Sequence, residues 1–429
     1  MRGFTGNILP WRGVSAAVVL SVFASISVTA YAATEKVVYA FKGGSDGANP
    51  QSALLDVKGE LYGTTAAGGL GTCSYQAGCG TVFKIAGSGR EKVVYSFQGG
   101  RDGYAPTAGL INVKGTFYGT TSAGISPTRV CAASNCGTIF SITPSGGVKV
   151  LHVFTGGDGA GPDAELIDVR GTLYGTTVFG GSGSCVQGNA TCGTVFSIAP
   201  SGAETGLFSF NGADGFGPLA SLVNINGTLF GTTLSSGKTN LEGACAVPGL
   251  GFPMRCGLVF SITPGGVEKV IHKFQGGTDG GASYAPLIDY NGTLYGTTSQ
   301  GGTGTCNYQT GCGTVFEITA AGKEKVLYSF QGGSDGGVPV AGLIDVNGVL
   351  YGTTQWGGDS TTCPLGCGTV FSITTSGDEK VLYAFKAGSD GALPQAGLIN
   401  VNGTLYGTTE YGGAYGGALG FGTVFSITP

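Results

Sequence analysis

The chain of 429 residues contains 85 glycines and 12 cysteines, and its formal net charge is −4 at pH 7. Only 11% of the residues are charged, whereas 41% are hydrophobic and 18 tyrosines and 23 phenylalanines are present, which excludes a low-complexity disordered chain. The mildly acidic balance, without clusters of basic residues, argues against nucleic acid as a partner.

Residues 1–32 are predicted to be a secretory signal peptide. Arg2 and Arg12 precede an apolar stretch that closes on the small-x-small pattern Ala30-Tyr31-Ala32, which is typical of a cleavage site. A retained N-terminal membrane anchor is the alternative. No later apolar run is long enough to cross a bilayer. We therefore expect a secreted or periplasmic protein in which residues 33–429 form the mature domain.

Three short sequence elements recur seven times in residues 33–429. Copies of the first, aromatic-Gly-Thr-Thr, lie 55, 56 or 65 residues apart and start at Tyr62, Tyr118, Tyr174, Phe230, Tyr295, Tyr351 and Tyr406. The second, Gly-x-Val/Ile-Phe, follows each copy of the first. The third is a run such as EKVLYSF, which ends on Phe41, Phe97, Phe154, Phe210, Phe274, Phe330 and Phe385. Such a period is typical of propellers and solenoids.

Each repeat contains four strand candidates and no helical period. GLIDV and TLYGTT are joined by Asn-Gly or Lys-Gly, which is a strong hairpin signal because these turns need positive φ. GTVFSIT and EKVLYSF are joined by turns of the PSG type and form a second hairpin. Four antiparallel strands in each of seven repeats predict an all-β fold, a seven-bladed β-propeller, within the usual range of about 4–8 blades.

The order of the elements predicts a closed ring. The first EKVLYSF-type run, residues 34–41, precedes the first YGTT, and no such run follows the last GTVF. The N-terminal strand can therefore supply the strand that the seventh blade lacks. An open solenoid is the alternative, but it requires polar capping repeats at its ends, whereas both ends here are complementary fragments of a repeat.

The cysteines lie two to a loop, between YGTT and GTVF, in the first six repeats. An even count in an exported chain favours six local disulfides, each stabilising its loop by roughly 2 kcal/mol. Zinc is the alternative, but each loop offers two thiols and no histidine, and zinc needs four ligands. The predicted pairs are Cys73–Cys79, Cys131–Cys136, Cys185–Cys192, Cys245–Cys256, Cys306–Cys312 and Cys363–Cys367.

The linked motifs GTLYGTT, GTVFSITP and EKVLYSFQGGSDG resemble the Gloeo/Verruco-type (GloVer) tandem repeat of exported bacterial choice-of-anchor proteins. The resemblance covers nearly all of residues 33–429. It implies an exported bacterial repeat protein and supplies no catalytic residues to transfer. Members often end in a sorting or anchoring segment, and since none follows Pro429 we do not expect surface anchoring of that kind.

The sequence shows no catalytic constellation. The only two histidines, His152 and His272, stand where other repeats have tyrosine, so we interpret them as tyrosine substitutes on a strand. An Asp-Gly pair follows every Phe-ended run, at Asp46, Asp102, Asp158, Asp214, Asp279, Asp335 and Asp390. Calcium is one interpretation of this ring of carboxylates. Asx-turns that satisfy loop amides are the favoured one, and no metal or cofactor is expected.

Departures from the repeat indicate the candidate binding site. The cysteine loops and the Asp-Gly loops must share one face of the propeller. The second residue after YGTT varies there and is aromatic at Phe179, Trp356 and Tyr411. Glu410 lies beside Tyr411, and Tyr415 follows in the disulfide-free loop of the seventh repeat. Aromatic rings next to polar groups suit stacking on sugars, although packing beneath their own loops is an equal alternative.

Two further departures lie on the same face. Glu165 begins an ELIDV run where the other repeats have small or compact residues, and a loop of residues 234–256 is longer than its counterparts. We expect a monomeric module that binds an extracellular glycan or protein. The alternatives are a polysaccharide hydrolase or lyase that uses Glu165 with a second acid, and a structural or adhesive envelope protein.

Overall fold

The computed structural model describes residues 33–73, 78–124, 136–183, 191–235, 256–306, 310–358, 360–417 and 419–429. The predicted signal peptide lies outside these residues, as do Cys131, Cys185, Cys245 and most of the long loop of the fourth repeat. None of the described residues forms a helix long and apolar enough to cross a membrane.

Twenty-eight strands, numbered in chain order, build the described part of the fold. The chain starts with β1 (Thr34–Ala40). Blade 1 contains β2 (Leu55–Val57), β3 (Glu60–Thr65), β4 (Thr81–Ile85) and β5 (Glu91–Ser96). Blade 2 contains β6 (Ile111–Val113), β7 (Thr116–Thr121), β8 (Thr138–Ile142) and β9 (Val148–Val153). Blade 3 contains β10 (Ile167–Val169), β11 (Thr172–Thr177), β12 (Thr194–Ile198) and β13 (Glu204–Ser209).

The remaining blades repeat this pattern. Blade 4 contains β14 (Val223–Ile225), β15 (Thr228–Thr233), β16 (Leu258–Ile262) and β17 (Glu268–Lys273). Blade 5 contains β18 (Ile288–Tyr290), β19 (Thr293–Thr298), β20 (Thr314–Thr319) and β21 (Glu324–Ser329). Blade 6 contains β22 (Ile344–Val346), β23 (Val349–Thr354), β24 (Thr369–Thr374) and β25 (Glu379–Ala384). Blade 7 contains β26 (Ile399–Val401), β27 (Thr404–Thr409) and β28 (Thr423–Thr428). Single 3-10 turns occupy Gly44–Asp46, Gly277–Asp279 and Gly388–Asp390.

Each blade is an antiparallel meander with its short first strand innermost. The inner strands of neighbouring blades contact each other around the axis, and this includes β26 and β2. The seventh sheet has the order β1-β28-β27-β26, so the first strand of the chain forms its outer edge, with Thr34 opposite Thr428 and Ala40 opposite Thr423. The predicted seven-bladed propeller and its closure are therefore confirmed, and the solenoid alternative is wrong.

Neighbouring blades are held together by a phenylalanine pair. Phe41, which follows β1, meets Phe83 on β4 edge to face with ring centroids 5.0 Å apart, and both rings are fully buried. Position 63 requires glycine, because a Cβ there would lie 2.6 Å from the Phe83 ring. Burying each ring stabilises the fold by about 1.5–3 kcal/mol. The same pair recurs as Phe97–Phe140, Phe154–Phe196, Phe210–Phe260, Phe274–Phe316, Phe330–Phe371 and Phe385–Phe425.

Three of the predicted disulfides lie entirely within the described residues, and all three are formed. They are Cys73–Cys79, Cys306–Cys312 and Cys363–Cys367, with Cα atoms 5.3, 5.0 and 5.3 Å apart. Cys136, Cys192 and Cys256 are also disulfide-bonded, and their predicted partners lie outside the described residues. Zinc is therefore wrong for the three complete pairs.

Ring closure predicts that β1 is essential for stability. A protein that begins at Gly43 loses β1 and the Phe41 ring, leaving β28 as an exposed edge and a cavity beside Phe83. We expect the free energy of unfolding to fall by several kcal/mol, since loss of a buried phenylalanine alone costs about 3–5 kcal/mol. Calorimetry should show a much lower Tm than for a control that begins at Thr34. Equal Tm values for the two proteins would contradict the closure.

Candidate functional site

The loops that connect the second and third strands of each blade, and the loops that connect successive blades, lie on one face. We call it the long-loop face. Backbone hydrogen bonds between the two loop sets fix it: Gly337 and Trp356 exchange two of 3.0 Å, and Ala392 and Tyr411 exchange two of 2.9 and 3.1 Å. Corresponding bridges join Ala48 to Ala67, Tyr104 to Ala123, Ala160 to Phe179, Phe216 to Ser235 and Gly281 to Gln300.

A buried threonine pair anchors these loops at the ends of the strands. The Thr65 hydroxyl lies 2.8 Å from the Thr81 hydroxyl and donates a hydrogen bond of 2.9 Å to the Ala67 carbonyl. The last threonine of YGTT therefore fixes the direction in which the next two side chains leave the blade. This explains why the position after YGTT can vary in sequence while the backbone stays the same in all seven blades.

Glu410 forms the centre of a polar cluster that bridges blades 7 and 1. Its carboxylate accepts a hydrogen bond of 2.9 Å from the Gln51 amide and a second from the Gln395 amide, and its carbonyl accepts one from Asn49. Burial raises the pKa of the Glu410 carboxyl, and the hydrogen bond from Gln51 opposes that rise. Gln51 and Gln395 each precede an innermost strand, so the cluster lies at the axial end of the long-loop face.

Two further carboxyls precede the innermost strand of blade 3. Asp163 accepts a hydrogen bond of 3.2 Å from the Thr107 hydroxyl of blade 2, and burial raises its pKa to about 6. Burial also raises the pKa of Glu165 to about 7. The Glu165 carboxylate lies 2.8 Å from where a Cβ on Gly109 would be, so the glycine leaves room for it. Carboxyls that titrate near neutrality can donate or accept protons at physiological pH.

The predicted aromatic residues differ in their surroundings. Trp356 and Tyr411 are both partly exposed, but Tyr411 also packs against the apolar core between blades 6 and 7 and interacts with Glu410. Tyr415 is 46% exposed, with the Lys42 ammonium 5.8 Å from its ring centroid. Phe179 is 39% exposed and lies on blade 3, away from the others. Trp356 and Tyr415 are therefore the rings most available to a ligand on blades 6 and 7.

Exposed aliphatic side chains extend the same region. Leu365 on blade 6, Leu419 on blade 7 and Leu70 on blade 1 are 37%, 69% and 72% exposed, and each lies in a loop of the long-loop face. Val267, also exposed, lies on the opposite face. Among the described residues, the exposed aliphatic side chains of this face fall in three consecutive blades, which is typical of an interaction surface. These leucines are not evident from the repeat, because they occupy loops that vary in length between repeats.

The outer rim carries a second set of polar groups, one at each junction between blades. We call each a junction cluster. In the cluster between blades 7 and 1, the Tyr39 hydroxyl donates a hydrogen bond of 2.7 Å to Asp46, which also accepts one from the Lys42 amide. Burial and the neighbouring Asp46 carboxylate raise the pKa of Glu91 to about 8. The Asp-Gly aspartates thus satisfy loop amides, as the Asx-turn interpretation predicted.

The other junction clusters repeat this arrangement with substitutions. Histidine replaces tyrosine in two clusters, phenylalanine replaces it in one, and valine replaces the glutamate in one. They are Tyr95–Asp102–Val148, His152–Asp158–Glu204, Phe208–Asp214–Glu268, His272–Asp279–Glu324, Tyr328–Asp335–Glu379 and Tyr383–Asp390–Glu35.

The face opposite the long loops contains a cleft of about 620 Å³ between blades 1 and 2. Lys58 and Lys114 line it, together with Glu60 and Tyr62. Both lysines occupy positive-φ turn positions, at 58° and 54°, where blades 4 to 7 use asparagine. In the sequence alone, these lysines are evident only as turn residues.

Seven four-stranded blades, with a polar axial cluster and exposed rings on one face, define the protein as a seven-bladed β-propeller of the tandem-repeat class. The profile described as the Gloeobacter/Verrucomicrobia repeat matches residues 26–187, 73–245 and 249–429. The chain therefore belongs to the Gloeobacter/Verrucomicrobia repeat family, and the resemblance seen in its motifs is confirmed. No curated protein matches the chain significantly.

Solved structures with a similar arrangement are remote in sequence. The chain is 13% identical to PorZ, a surface component of the type-IX secretion system of Porphyromonas gingivalis, with a TM-score of 0.49 over 91% of this chain and 48% of that one. It is 14% identical to the aldose sugar dehydrogenase of Streptomyces coelicolor, with a TM-score of 0.44 over 92% and 98%. A gluconolactonase of Xanthomonas campestris is 12% identical to the chain, with a TM-score of 0.38 over 74% of this chain and 85% of that one. These similarities are too low to transfer an activity.

The junction glutamates predict that stability falls as pH rises. Burial, followed by repulsion from Asp390 and Asp335, raises the pKa of Glu35 and of Glu379 to about 7. These pKa values, and that of Glu91, exceed the ordinary value of 4.5. The protonated glutamates therefore contribute their full stabilisation of the fold below pH 4.5, and this contribution is lost as pH rises through about 7 to 8. We expect a Tm several degrees lower at about pH 9 than at about pH 6.

Substitutions at matched glutamates show whether the junction glutamates cause this pH dependence. Glu91→Gln keeps the size and the hydrogen-bonding groups of the side chain but cannot ionise, so the decline of Tm with pH should become smaller. Glu60→Gln is the control, because its hydrogen bond with Lys84 lowers the pKa of Glu60. Calorimetry of the unsubstituted protein and the two variants between about pH 6 and pH 9 measures how Tm depends on pH. A Tm of the unsubstituted protein that does not change between pH 6 and pH 9 would contradict the prediction.

Proposed function

We propose that the protein is an exported module that binds a glycan at the axial end of the long-loop face. The observation that supports this most is the Glu410 cluster, in which Gln51, Gln395 and Glu410 place amide and carboxylate groups of three loops together. Directional donors and acceptors of this kind suit the hydroxyl groups of a sugar, which need several partners at fixed angles.

Exposed and partly exposed rings on the long-loop face of blades 6 and 7 support the same proposal. Trp356 lies on a loop of blade 6, and Tyr415 lies on the same loop of blade 7 as Glu410 but towards the outer rim, beside Lys42. In a bound oligosaccharide, their apolar faces can cover the C–H sides of sugar units while the polar cluster contacts the hydroxyls of another unit. Tyr411 supports Glu410 from within the core and is a positioning residue in this arrangement rather than a stacking platform.

The stacking role of Trp356 can be tested by substitution. Trp356→Ala should weaken binding to the best ligand of a glycan array by about 5- to 150-fold, which corresponds to a stacking contribution of about 1–3 kcal/mol. The Tm should change little, because the ring is partly exposed. Titration calorimetry and thermal unfolding of the same variant measure both quantities. A lower Tm with unchanged affinity would remove Trp356 from the site.

Leu419→Ser and Phe179→Ala serve as matched controls. Leu419 is exposed and aliphatic on blade 7, and Phe179 is exposed and aromatic on the distant blade 3. Neither variant should affect glycan affinity under this proposal. If Leu419→Ser lost binding to a protein ligand while Trp356→Ala kept it, the result would instead favour a protein ligand held by Leu70, Leu365 and Leu419.

A polysaccharide hydrolase or lyase is the second candidate. It is favoured by Asp163 and Glu165, because burial raises the pKa values of these two neighbouring carboxyls to about 6 and 7, in the range suited to proton transfer. The same groups can equally accept hydrogen bonds from a ligand or, when protonated, donate to one. The choice between the two functions therefore rests on whether the bound chain is cleaved.

The length of a bound polysaccharide after incubation distinguishes the two functions directly. We expect a polysaccharide that binds the protein to keep its length after prolonged incubation, as followed by size-exclusion chromatography. Shortening that disappears in both Glu165→Gln and Asp163→Asn would establish catalysis and overturn the binding proposal. The same assay with Glu60→Gln, a carboxyl on the opposite face, controls for contaminating activity.

A further inference from the structure

Both histidines of the chain occupy the same place in the fold. His152 near the end of β9 and His272 near the end of β17 each stand in a junction cluster, with an aspartate of the following loop and the first glutamate of the next outer strand. In both clusters a histidine nitrogen, an aspartate oxygen and a glutamate oxygen lie within 4.8 Å of one another. We propose that each of these two clusters binds a divalent transition-metal ion, such as Zn²⁺.

The spacing of the donor atoms fits this proposal. His152 Nε2 lies 2.9 Å from Asp158 Oδ2, and His272 Nε2 lies 3.4 Å from Asp279 Oδ1. Ligands that bind one ion with bonds of about 2.1 Å lie about 3.0 Å apart in an octahedron and about 3.4 Å apart in a tetrahedron. One imidazole and two carboxylates are donors that zinc and its neighbours in the first transition row accept.

An unpartnered nitrogen distinguishes the second cluster. His272 Nε2 is shielded from solvent and makes no hydrogen bond among the described residues, although Asp279 is close. Buried polar atoms are normally paired, so an orphaned imidazole nitrogen that faces two carboxylates requires an explanation. A metal ion supplies one, because it accepts the lone pair of the neutral imidazole and compensates the two negative charges.

The remaining coordination positions are available to water. The side chains of His152 and Asp158 are 20% and 25% exposed, and those of His272 and Asp279 are 19% and 21% exposed. Three protein ligands at a partly exposed rim therefore leave at least one position open to solvent. This is the ligand count of an open zinc site rather than of a closed structural one.

Each of the other five junctions lacks at least one of the three ligands. Four have tyrosine in place of histidine, and its hydroxyl donates a hydrogen bond to the aspartate, as Tyr328 does to Asp335 at 3.0 Å. The fifth has Phe208, which offers no donor atom, and the tyrosine cluster of Tyr95 also lacks the glutamate because Val148 stands there. The chain therefore contains two complete ligand sets beside five incomplete ones in the same geometry.

Tyrosine substitutions test the proposal without disturbing the fold, because the chain itself uses tyrosine at four equivalent positions. The full-length mature protein is stripped with chelator, dialysed and titrated with Zn²⁺ by equilibrium dialysis and metal analysis. We expect two Zn²⁺ per chain in the unsubstituted protein, one in His152→Tyr and one in His272→Tyr, and none in the double variant. The metal-free Tm values should agree with one another.

A substitution that completes a third ligand set provides an independent test. Tyr328→His creates a third complete set with Asp335 and Glu379 and should raise the count to three Zn²⁺. Tyr95→His places histidine beside Asp102 and Val148, where no glutamate is present, and should leave the count at two. Zn²⁺ binding that is absent from the unsubstituted protein, or that persists in the double tyrosine variant, would overturn the proposal. This outcome is independent of glycan binding on the long-loop face.

Discussion

The fold depends on one contact between aromatic rings, made seven times. The phenylalanine that follows each outer strand enters the next blade and meets, edge to face, the phenylalanine of that blade's third strand, as Phe41 meets Phe83. The contact requires the glycine of YGTT, because any side chain at Gly63 would occupy the space of the Phe83 ring. The spacing between blades, the approach of the innermost strands and the junction clusters all follow from this close packing.

Much of the architecture could be predicted because it is encoded locally. Positive-φ turns such as Lys58-Gly59 define the inner hairpins, and the placement of the first Phe-ended run before the first YGTT defined the closure. The site was less predictable. The bond between Gln51 and Glu410 joins residues 359 positions apart, and no periodicity distinguishes Gln51 from other polar residues before an inner strand. The glutamates of the junction clusters interact with an aspartate from the preceding repeat, as Glu91 does with Asp46, and the repeat pattern alone does not reveal this contact.

Conserved packing inside the ring leaves two regions free to vary in chemistry. At the axial end, Glu410, Asp163 and Glu165 interrupt positions that are small or uncharged in most other blades. At the outer rim, exchange of tyrosine for histidine keeps the bond to aspartate, as His152 shows, while it changes the atom that is offered to a ligand. A single scaffold can thus present different polar groups at its centre and at its edge without a change in the core.

The pairing of β1 with β28 has a consequence for assembly. The two strands are separated by about 390 residues, as the bond between Ser426 and Lys36 illustrates. Because non-local contacts are slow to form, we expect this pairing to form late in folding, after the other blades. Until then the outer edge of the seventh sheet would be open, and the β1 strand of a second copy can pair with it in the same register. Concentrated refolding should therefore yield strand-exchanged chains of propellers linked head to tail, whereas dilution favours the closed ring.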